Sequence, residues 1–282
     1  MTEALRKLGE RALALVEEAG GIALLALKVI GALVPPRLLR VGAAGLRLVA
    51  PSREVRNPPR VPPLSGRELL RNLDKMGVSS LPIVALTAFF TGGIMVIQSG
   101  IFVKRFGAQG LLGWGSGYAV FREVGPILIG LMFSGRVGSN NAAELGTMTV
   151  TEQIDGLRAL AIEPVRYLIV PRVLAMVISM FCLLIVGDLV AVGGGMLFGK
   201  LLLGVEFSSF YYSLRDNLRP WDFLVGVIKA SVFGLAISLT SCHFGTAVKG
   251  GAVGVGRAVN DAVVAAALAI LISDYLLTLV LR

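Results

Sequence analysis

The chain is poor in the residues from which catalytic and metal-binding sites are usually built. His243 is the only histidine, and the two cysteines, Cys182 and Cys242, both lie within apolar runs. A single histidine excludes a multi-histidine metal site and a histidine-based proton relay. The cysteine positions indicate buried thiols rather than a disulfide. With no nucleophile motif or hydrolase-type carboxylate pair, we expect this chain to be no enzyme and to hold no metal or cofactor itself.

Charge is also scarce, which excludes an ordinary soluble domain. Charged residues make up 16% of the chain against about 25% in soluble proteins. Hydrophobic residues make up 55%, and the mean hydropathy is +0.78. The net charge of +9 comes largely from basic residues within the first 75 positions, which lie among apolar residues without interleaved aromatics. This pattern favours contact with anionic lipid headgroups and gives no support for nucleic-acid binding.

Five apolar runs are long enough to cross a bilayer, which takes roughly 20 residues. They lie at about 79–103, 110–137, 173–199, 221–244 and 258–281. The first run carries no charged side chain, whereas each of the other four carries between one and three. The sequence therefore predicts an all-α membrane protein with five transmembrane helices.

The distribution of basic residues predicts the orientation of these spans. Counted from Arg60 onward, ten lysines and arginines fall on the side of the N-terminus and six on the other side. Basic residues are enriched on the cytoplasmic side of membrane proteins, so we expect a cytoplasmic N-terminus. An aromatic belt is predicted at the outer ends of the spans, formed by Trp114, Tyr118, Tyr211, Tyr212 and Trp221.

The N-terminal region, residues 1–78, has no predicted span. Apolar residues recur at helical spacing from Leu5 to Ala23 and lie opposite charged ones, which predicts an amphipathic helix in the headgroup plane. The alternative is a helix packed against the protein's own spans. A proline-rich linker follows at 51–63, and Ser65-x-x-Glu68 predicts a capping box that opens a short helix before the first span.

The segment 144–172 is a polar, helix-forming stretch between the second and third spans, on the predicted cytoplasmic side. Thr149-x-x-Glu152 reads as a capping box that opens a helix at about 149–162. Pro164 and Pro171 bound its exit. A structured helix in so short a connection favours a docking element for a cytoplasmic partner; the alternative is a simple interfacial helix between spans.

Charged residues inside spans cost free energy because the bilayer cannot solvate them, and they usually face a partner or a cavity. Arg122 and Glu123 in the second span and Lys229 in the fourth lie at comparable predicted depths. They could line a central cavity or simply neutralise one another and fix helix packing. Asp188, Asp261 and Asp274 are more typical of helix-end or packing acids. The string from Gly194 to Lys200 mimics a phosphate-binding loop, but Leu201 stands where serine or threonine is required.

Several ordered motifs then resemble the MlaE/YrbE permease family, the membrane subunits of ABC lipid transporters that work with MCE-domain proteins. The motifs are REVGP at 122–126, GRVG at 135–138, AELGTM at 143–148, VTEQID at 150–155, PRVLA at 171–175, KASVFG at 229–234 and GAVGVG at 251–256. The resemblance covers about 65–282 and implies an MlaE-type permease domain at 79–282. Two departures from the family pattern are Asn140-Asn141, where small residues are expected, and Gly156, where alanine is common.

The resemblance implies partners as well as a fold. It implies a homodimer in the bacterial inner membrane, a cytoplasmic ABC ATPase dimer that binds the ATP, a hexameric MCE ring on the outer face, and lipids as cargo. The lipid path would include Arg122, Glu123 and Lys229. Coupling to the ATPase would use the residues in and before the 149–162 helix: Glu144, Thr149, Glu152, Gln153, Asp155 and Arg158.

Two other classes of function stay open at this point. An ion-coupled secondary transporter could use the acids of the spans, although no inverted repeat is visible in the sequence. A membrane anchor could hold an MCE ring without transporting anything.

Overall fold

The computed structural model describes residues 2–33, 66–107 and 109–281, and every regular element within these ranges is helical. This agrees with the predicted all-α class. The α-helices are α1 (Thr2–Leu33), α2 (Gly66–Met76), α3 (Leu81–Phe106), α4 (Leu112–Ala119), α5 (Gly125–Phe133), α6 (Ser139–Val150), α7 (Gln153–Ala159), α8 (Val170–Leu203), α9 (Phe207–Asn217), α10 (Pro220–Thr246) and α11 (Gly251–Val280). The linker 51–63 and Ser65 of the predicted capping box lie outside the described residues.

Within the described ranges, four helical runs are long and apolar enough to cross a membrane. They are Gly66–Val103, Val165–Leu203, Pro220–Thr246 and Gly251–Val280. They contain the predicted spans 79–103, 173–199 and 221–244, and all but the last residue of 258–281. The predicted span 110–137 is not among the four. It lies mostly within a helical run from 112 to 150 that two π-helical segments, Val120–Val124 and Ser134–Gly138, divide.

Pro126 accounts for the first of these π-helical segments. The Gly125 amide donates to the Val120 carbonyl five residues back, and Pro126 has no amide hydrogen to offer. The Phe121 carbonyl is therefore left without a helical donor. It points at the backbone of α10, where a Cβ built on Gly226 would lie 2.0 Å from this oxygen. Only glycine allows the two helices to approach this closely.

The same close approach holds α3 against α8. A Cβ on Gly92 would lie 1.9 Å from the Ala191 carbonyl oxygen, and one on Gly194 would lie 2.2 Å from that of Phe89. Small residues at helix crossings are a common means of packing in membranes, because lipid provides no hydrophobic drive for helix association. The main core cluster lies between α5, α8, α10 and α11 and is centred on Phe133, Met176, Met180, Phe233 and Ile270.

The second half of α1 packs on the bundle. Leu25 and Val29 are buried in a cluster with Leu145, Ile169 and Leu239. The opposite side of the same stretch is apolar and exposed, with Leu24, Leu27 and Ile30 each at least half exposed. Residues 22–33 therefore pack against the protein's own spans, as in the alternative to a helix that lies in the headgroup plane. Placement of the first half in the headgroup plane stays a prediction.

We expect Gly226→Ala to destabilise the protein, because the new methyl group meets the Phe121 carbonyl rather than a side chain that can move aside. Overpacking of this kind costs about 1–3 kcal/mol. The measurement is the thermal unfolding midpoint of the purified protein in detergent. Gly256→Ala on α11, where a Cβ meets nothing within 4 Å, is the matched control and should not lower the midpoint. Equal midpoints for the two variants would contradict the proposed contact.

Candidate functional site

Lys229 is the centre of a group of paired charges, called here the charge cluster and made of Arg122, Glu123, Asp222, Lys229 and Asp274. Lys229 is fully buried. Its Nζ lies 2.5 Å from Glu123 Oε2 and 2.9 Å from Asp274 Oδ1. The same Nζ donates a hydrogen bond of 2.8 Å to the Thr278 hydroxyl. Three elements, the π-helical segment 120–124, α10 and α11, thus meet at one ammonium group.

Arg122 extends the cluster towards the start of α10. Its Nη1 donates to Asp222 Oδ1 at 2.9 Å and its Nη2 to the Leu281 carbonyl at 3.0 Å. The guanidinium carbon also lies 5.6 Å from the centre of the Tyr118 ring. Asp222 in turn accepts a hydrogen bond of 3.2 Å from the Arg219 amide through Oδ2 and so caps α10. Each cation of the cluster therefore has an acidic partner.

The structure brings together the three residues that the sequence predicts for the lipid path. Glu123 lies between the two cations: its Oε2 pairs with Lys229 Nζ, and its Oε1 lies 3.9 Å from Arg122 Nε. In this arrangement the charges neutralise one another, which was one of the two alternatives. Sequence reasoning did not name Asp222 and treated Asp274 as a packing acid. The sequence does place Asp222 and Lys229 seven residues apart, two turns along one helix face, but no local pattern indicates that Asp222 pairs with Arg122 or Asp274 with Lys229.

The coupling segment, residues 151–164, projects from the other end of the bundle. Its helix, α7, is shorter than the predicted 149–162, and both flanking turns use left-handed backbone at Glu152 and Ala161, each with φ of 58°. The predicted capping box is wrong. Thr149 lies in the last turn of α6, where its hydroxyl donates to the carbonyls of Leu145 at 2.8 Å and Gly245 at 3.1 Å. Glu152 makes no side-chain cap.

Most of the coupling segment faces outward. Ile154 is its only buried side chain in the described structure, and Leu160 is 69% exposed. The predicted contact residues Glu152, Gln153, Asp155 and Arg158 are all exposed. Asp155 and Arg158 form an ion pair of 2.7 Å, and the Gln153 amide donates to the Thr151 hydroxyl at 3.0 Å. The segment thus presents polar groups beside one exposed leucine.

Glu144 lies below the coupling segment, in a polar network that joins four helices. Its Oε2 is 2.6 Å from Lys75 Nζ on α2, and its Oε1 is 3.2 Å from Arg172 Nη2 on α8. Arg172 Nη1 donates to Asn141 Oδ1 at 2.9 Å, and Asn141 Nδ2 donates to Ser241 Oγ on α10 at 2.9 Å. Asn141, a departure from the family pattern, is therefore a fully paired member of this network.

The network controls the titration of Glu144. Partial burial by itself raises the pKa of this carboxyl, but the hydrogen bond from Lys75 and the positive charges of Arg172 and Lys75 outweigh it, so the pKa is lowered from its ordinary value. A cleft of about 610 Å³ opens beside the network between α2, α6 and residues 165–169, with Gln153 of the coupling segment on its rim. The described residues contain no group of three or more histidine, cysteine or acidic side chains that could hold a metal.

Comparison with known proteins gives a consistent picture. The family model described as Permease MlaE matches residues 69–280. A probable ABC transporter permease protein of Rickettsia conorii is 44% identical over 217 residues, which is 77% of this chain and 84% of that protein. The Arabidopsis thaliana chloroplast protein TRIGALACTOSYLDIACYLGLYCEROL 1 is 38% identical over 215 residues, 75% of this chain and 61% of that protein. The intermembrane phospholipid transport system permease protein MlaE of Haemophilus influenzae is 35% identical over 215 residues, 76% and 82% of the two chains.

The lowered pKa of Glu144 predicts an acid-sensitive contribution to stability. A carboxyl whose pKa is lower when folded stabilises the fold above its unfolded pKa, about 4.3 for glutamate, and loses this contribution as pH falls through the folded value. We expect Glu144→Gln to have a lower unfolding midpoint than wild type at pH 7. The difference between the two midpoints should shrink as the pH is lowered to about 4. Glu152→Gln, an exposed glutamate, is the control. A gap independent of pH would refute the ion-pair network as its source.

Proposed function

This chain belongs to the MlaE permease family. We propose that it is the membrane subunit of an ABC transporter that moves lipids, phospholipids in particular, between the inner membrane and an MCE-protein partner. The Haemophilus influenzae relative carries intermembrane phospholipid transport in its name, which supports phospholipid as the cargo class. ATP hydrolysis belongs to a separate ATPase subunit. The coupling segment is the single feature that carries this proposal: a projecting helix gives such a subunit a place to act.

The proposed assembly is a homodimer of five-span subunits in the bacterial inner membrane with the N-terminus in the cytoplasm. An ABC ATPase dimer sits on the cytoplasmic face, and an MCE-domain hexamer sits on the outer face. The fifth span of this count is the predicted span 110–137, which lies mostly within the helical run 112–150. The exposed aromatic side chains of Trp114, Tyr211, Tyr212 and Trp221 support the outer boundary, since tryptophan and tyrosine favour the membrane–water interface.

The run 112–150 offers a direct route for force. At 1.5 Å per residue it is about 58 Å long, with Arg122 and Glu123 near one end and Glu144 near the other. Movement of α7 by the ATPase displaces α6, and α6 continues through both π-helical segments to the charge cluster. The polar network ties the same displacement to α2, α8 and α10. Closure of the ATPase thereby rocks the spans around a lipid cavity formed in the dimer.

In the lipid path, apolar walls hold the acyl chains, and Arg122 and Lys229 attract an anionic phosphate. Both cations are paired with carboxylates in the structure described here. A headgroup phosphate must therefore compete with Asp222, Glu123 or Asp274, and the competition makes headgroup binding dependent on helix movement. Charge-assisted hydrogen bonds of this type contribute about 1.5–3 kcal/mol each.

Charge reversal of the coupling segment tests the ATPase contact. We expect Glu152→Lys combined with Asp155→Lys to abolish co-purification with the co-expressed ATPase subunit and stimulation of its activity, because both side chains are exposed and face away from the bundle. The control is Asp216→Lys on α9, an exposed acid outside the coupling segment. Unchanged ATPase binding and stimulation in the double variant would refute this use of the segment. An anchor that does not transport would bind without lipid-dependent stimulation, and an ion-coupled carrier would not bind.

A paired neutral substitution tests the lipid path without leaving a buried charge alone. We expect Arg122→Gln with Asp222→Asn to keep the unfolding midpoint but to slow transfer of an anionic fluorescent phospholipid between proteoliposomes and acceptor vesicles about 10-fold, the equivalent of 1.4 kcal/mol. The control is Arg215→Gln with Asp216→Asn, two exposed residues of α9 outside both proposed sites, assayed in the same way. Equal transfer rates for the cluster variant and wild type would remove Arg122 from the lipid path.

A further inference from the structure

Asp188 is a buried acid that the proposed lipid path does not use. It lies in the middle of α8 and is 1% exposed. Neither of its carboxylate oxygens has a hydrogen-bond partner among the described residues. The acids of the charge cluster, Asp222 and Asp274, by contrast face Arg122 and Lys229. A carboxylate ion buried without a partner costs several kcal/mol, so its charge must be neutralised in some other way.

Among the residues that the structure describes, none of those lining the surroundings of Asp188 is a cation. A small cavity beside it is lined by Thr87 and Thr91 of α3, by Gly125 of α5, and otherwise by apolar residues and glycine of α3, the π-helical segment, α5 and α8. None of these lining residues is titratable apart from Asp188. The charged residues nearest to it in the π-helical segment, Arg122 and Glu123, are engaged with α10 and α11.

The hydroxyl groups of the cavity also offer no donor. Thr87 donates its hydroxyl hydrogen to the Ile83 carbonyl and Thr91 donates its own to the Thr87 carbonyl, both at 2.8 Å. Each hydroxyl hydrogen is thereby committed to the helix backbone, and only oxygen lone pairs remain for a neighbour. Such a site suits a group that donates a hydrogen bond. A protonated carboxyl donates one, and an ionised carboxylate cannot.

The cavity has room for a single water molecule. About 10 Å³ is available to the centre of a water molecule, close to the minimum for one. Gly125 leaves space for the carboxyl, since a Cβ built there would lie 2.8 Å from Asp188 Oδ1. A water placed between Asp188 and the threonine oxygens would accept from the carboxyl and donate to a hydroxyl oxygen.

We propose that Asp188 is a proton-binding site inside the membrane-spanning bundle, which holds one proton at neutral pH and is linked by one water to Thr87 or Thr91. The site lies beside the close crossing of α3 and α8. Separation of these two helices would admit water, stabilise the ionised carboxylate and release the proton. Any such separation is therefore favoured by a rise in pH. This inference stands independently of the proposed lipid transport.

Infrared spectroscopy of the purified full-length protein in lipid tests the proposal directly. A protonated carboxyl has a C=O band separate from that of carboxylates, and the band shifts when H₂O is replaced by D₂O. We expect this band at pH 7 in wild type and in Asp261→Asn, an exposed acid of α11, and its loss in Asp188→Asn. A wild-type spectrum without the band, or a band that Asp188→Asn retains, overturns the proposal.

Stability measurements provide a second readout. If the folded protein binds this proton and the unfolded chain does not, wild-type stability falls as the pH rises above about 3.9, the ordinary aspartate value. Asp188→Asn, and Asp188→Leu should the amide not fold, should lack this decline. The titration is run in sodium chloride and in choline chloride. A stabilisation by sodium that Asp188→Asn abolishes would show that a metal cation occupies the site and would overturn the assignment to a proton.

Discussion

Every charge inside this bundle must be neutralised within the bundle, because hydrocarbon cannot solvate it. Lys229 makes the constraint visible: its ammonium lies between the carboxylates of Glu123 and Asp274 and thereby holds three helical elements at one point. Arg122 is likewise paired with the carboxylate of Asp222 in the first turn of α10. At the other end, Arg172 is paired with Glu144 and hydrogen-bonded to Asn141. The positions of the helices follow from where these pairs can form.

The two polar groups divide the bundle into three zones. Between them lies an apolar core around Phe133, Met176 and Phe233, in which no pairing constrains helix movement. Glycine contacts replace side-chain interdigitation where α3 crosses α8 and where the π-helical segment 120–124 crosses α10, so that backbones meet directly. The run 112–150 passes through all three zones, which makes it the element best placed to connect events at one end with events at the other.

Sequence reasoning succeeded where one interaction, such as the hydrophobic effect, dominates. The spans at 79–103 and 173–199 follow from hydropathy alone, because no other fold can bury such runs. It failed where two interactions compete for the same side chain or backbone group. Thr149 can cap a helix or donate to the carbonyl four residues back, and packing against Gly245 decided for the second. The pairing of Asp222 with Arg122 depends on tertiary structure and has no local signature. Only the Gly125-Pro126 step pointed to the π-helical segment, through the missing amide hydrogen.

The left-handed residues at either end of α7 determine how stiff the coupling segment is. Glu152 and Ala161 occupy a backbone region that side chains other than glycine tolerate at a cost of about 1–2 kcal/mol. A non-glycine residue held there has few neighbouring conformations to enter, so each turn resists bending more than a glycine turn would. In the proposed mechanism, these stiff turns would transmit a push on the exposed face of α7 to α6 as a rotation of the whole segment. The stiffness of the turns at Glu152 and Ala161 would then determine how much of the proposed ATPase movement is lost before it reaches the spans.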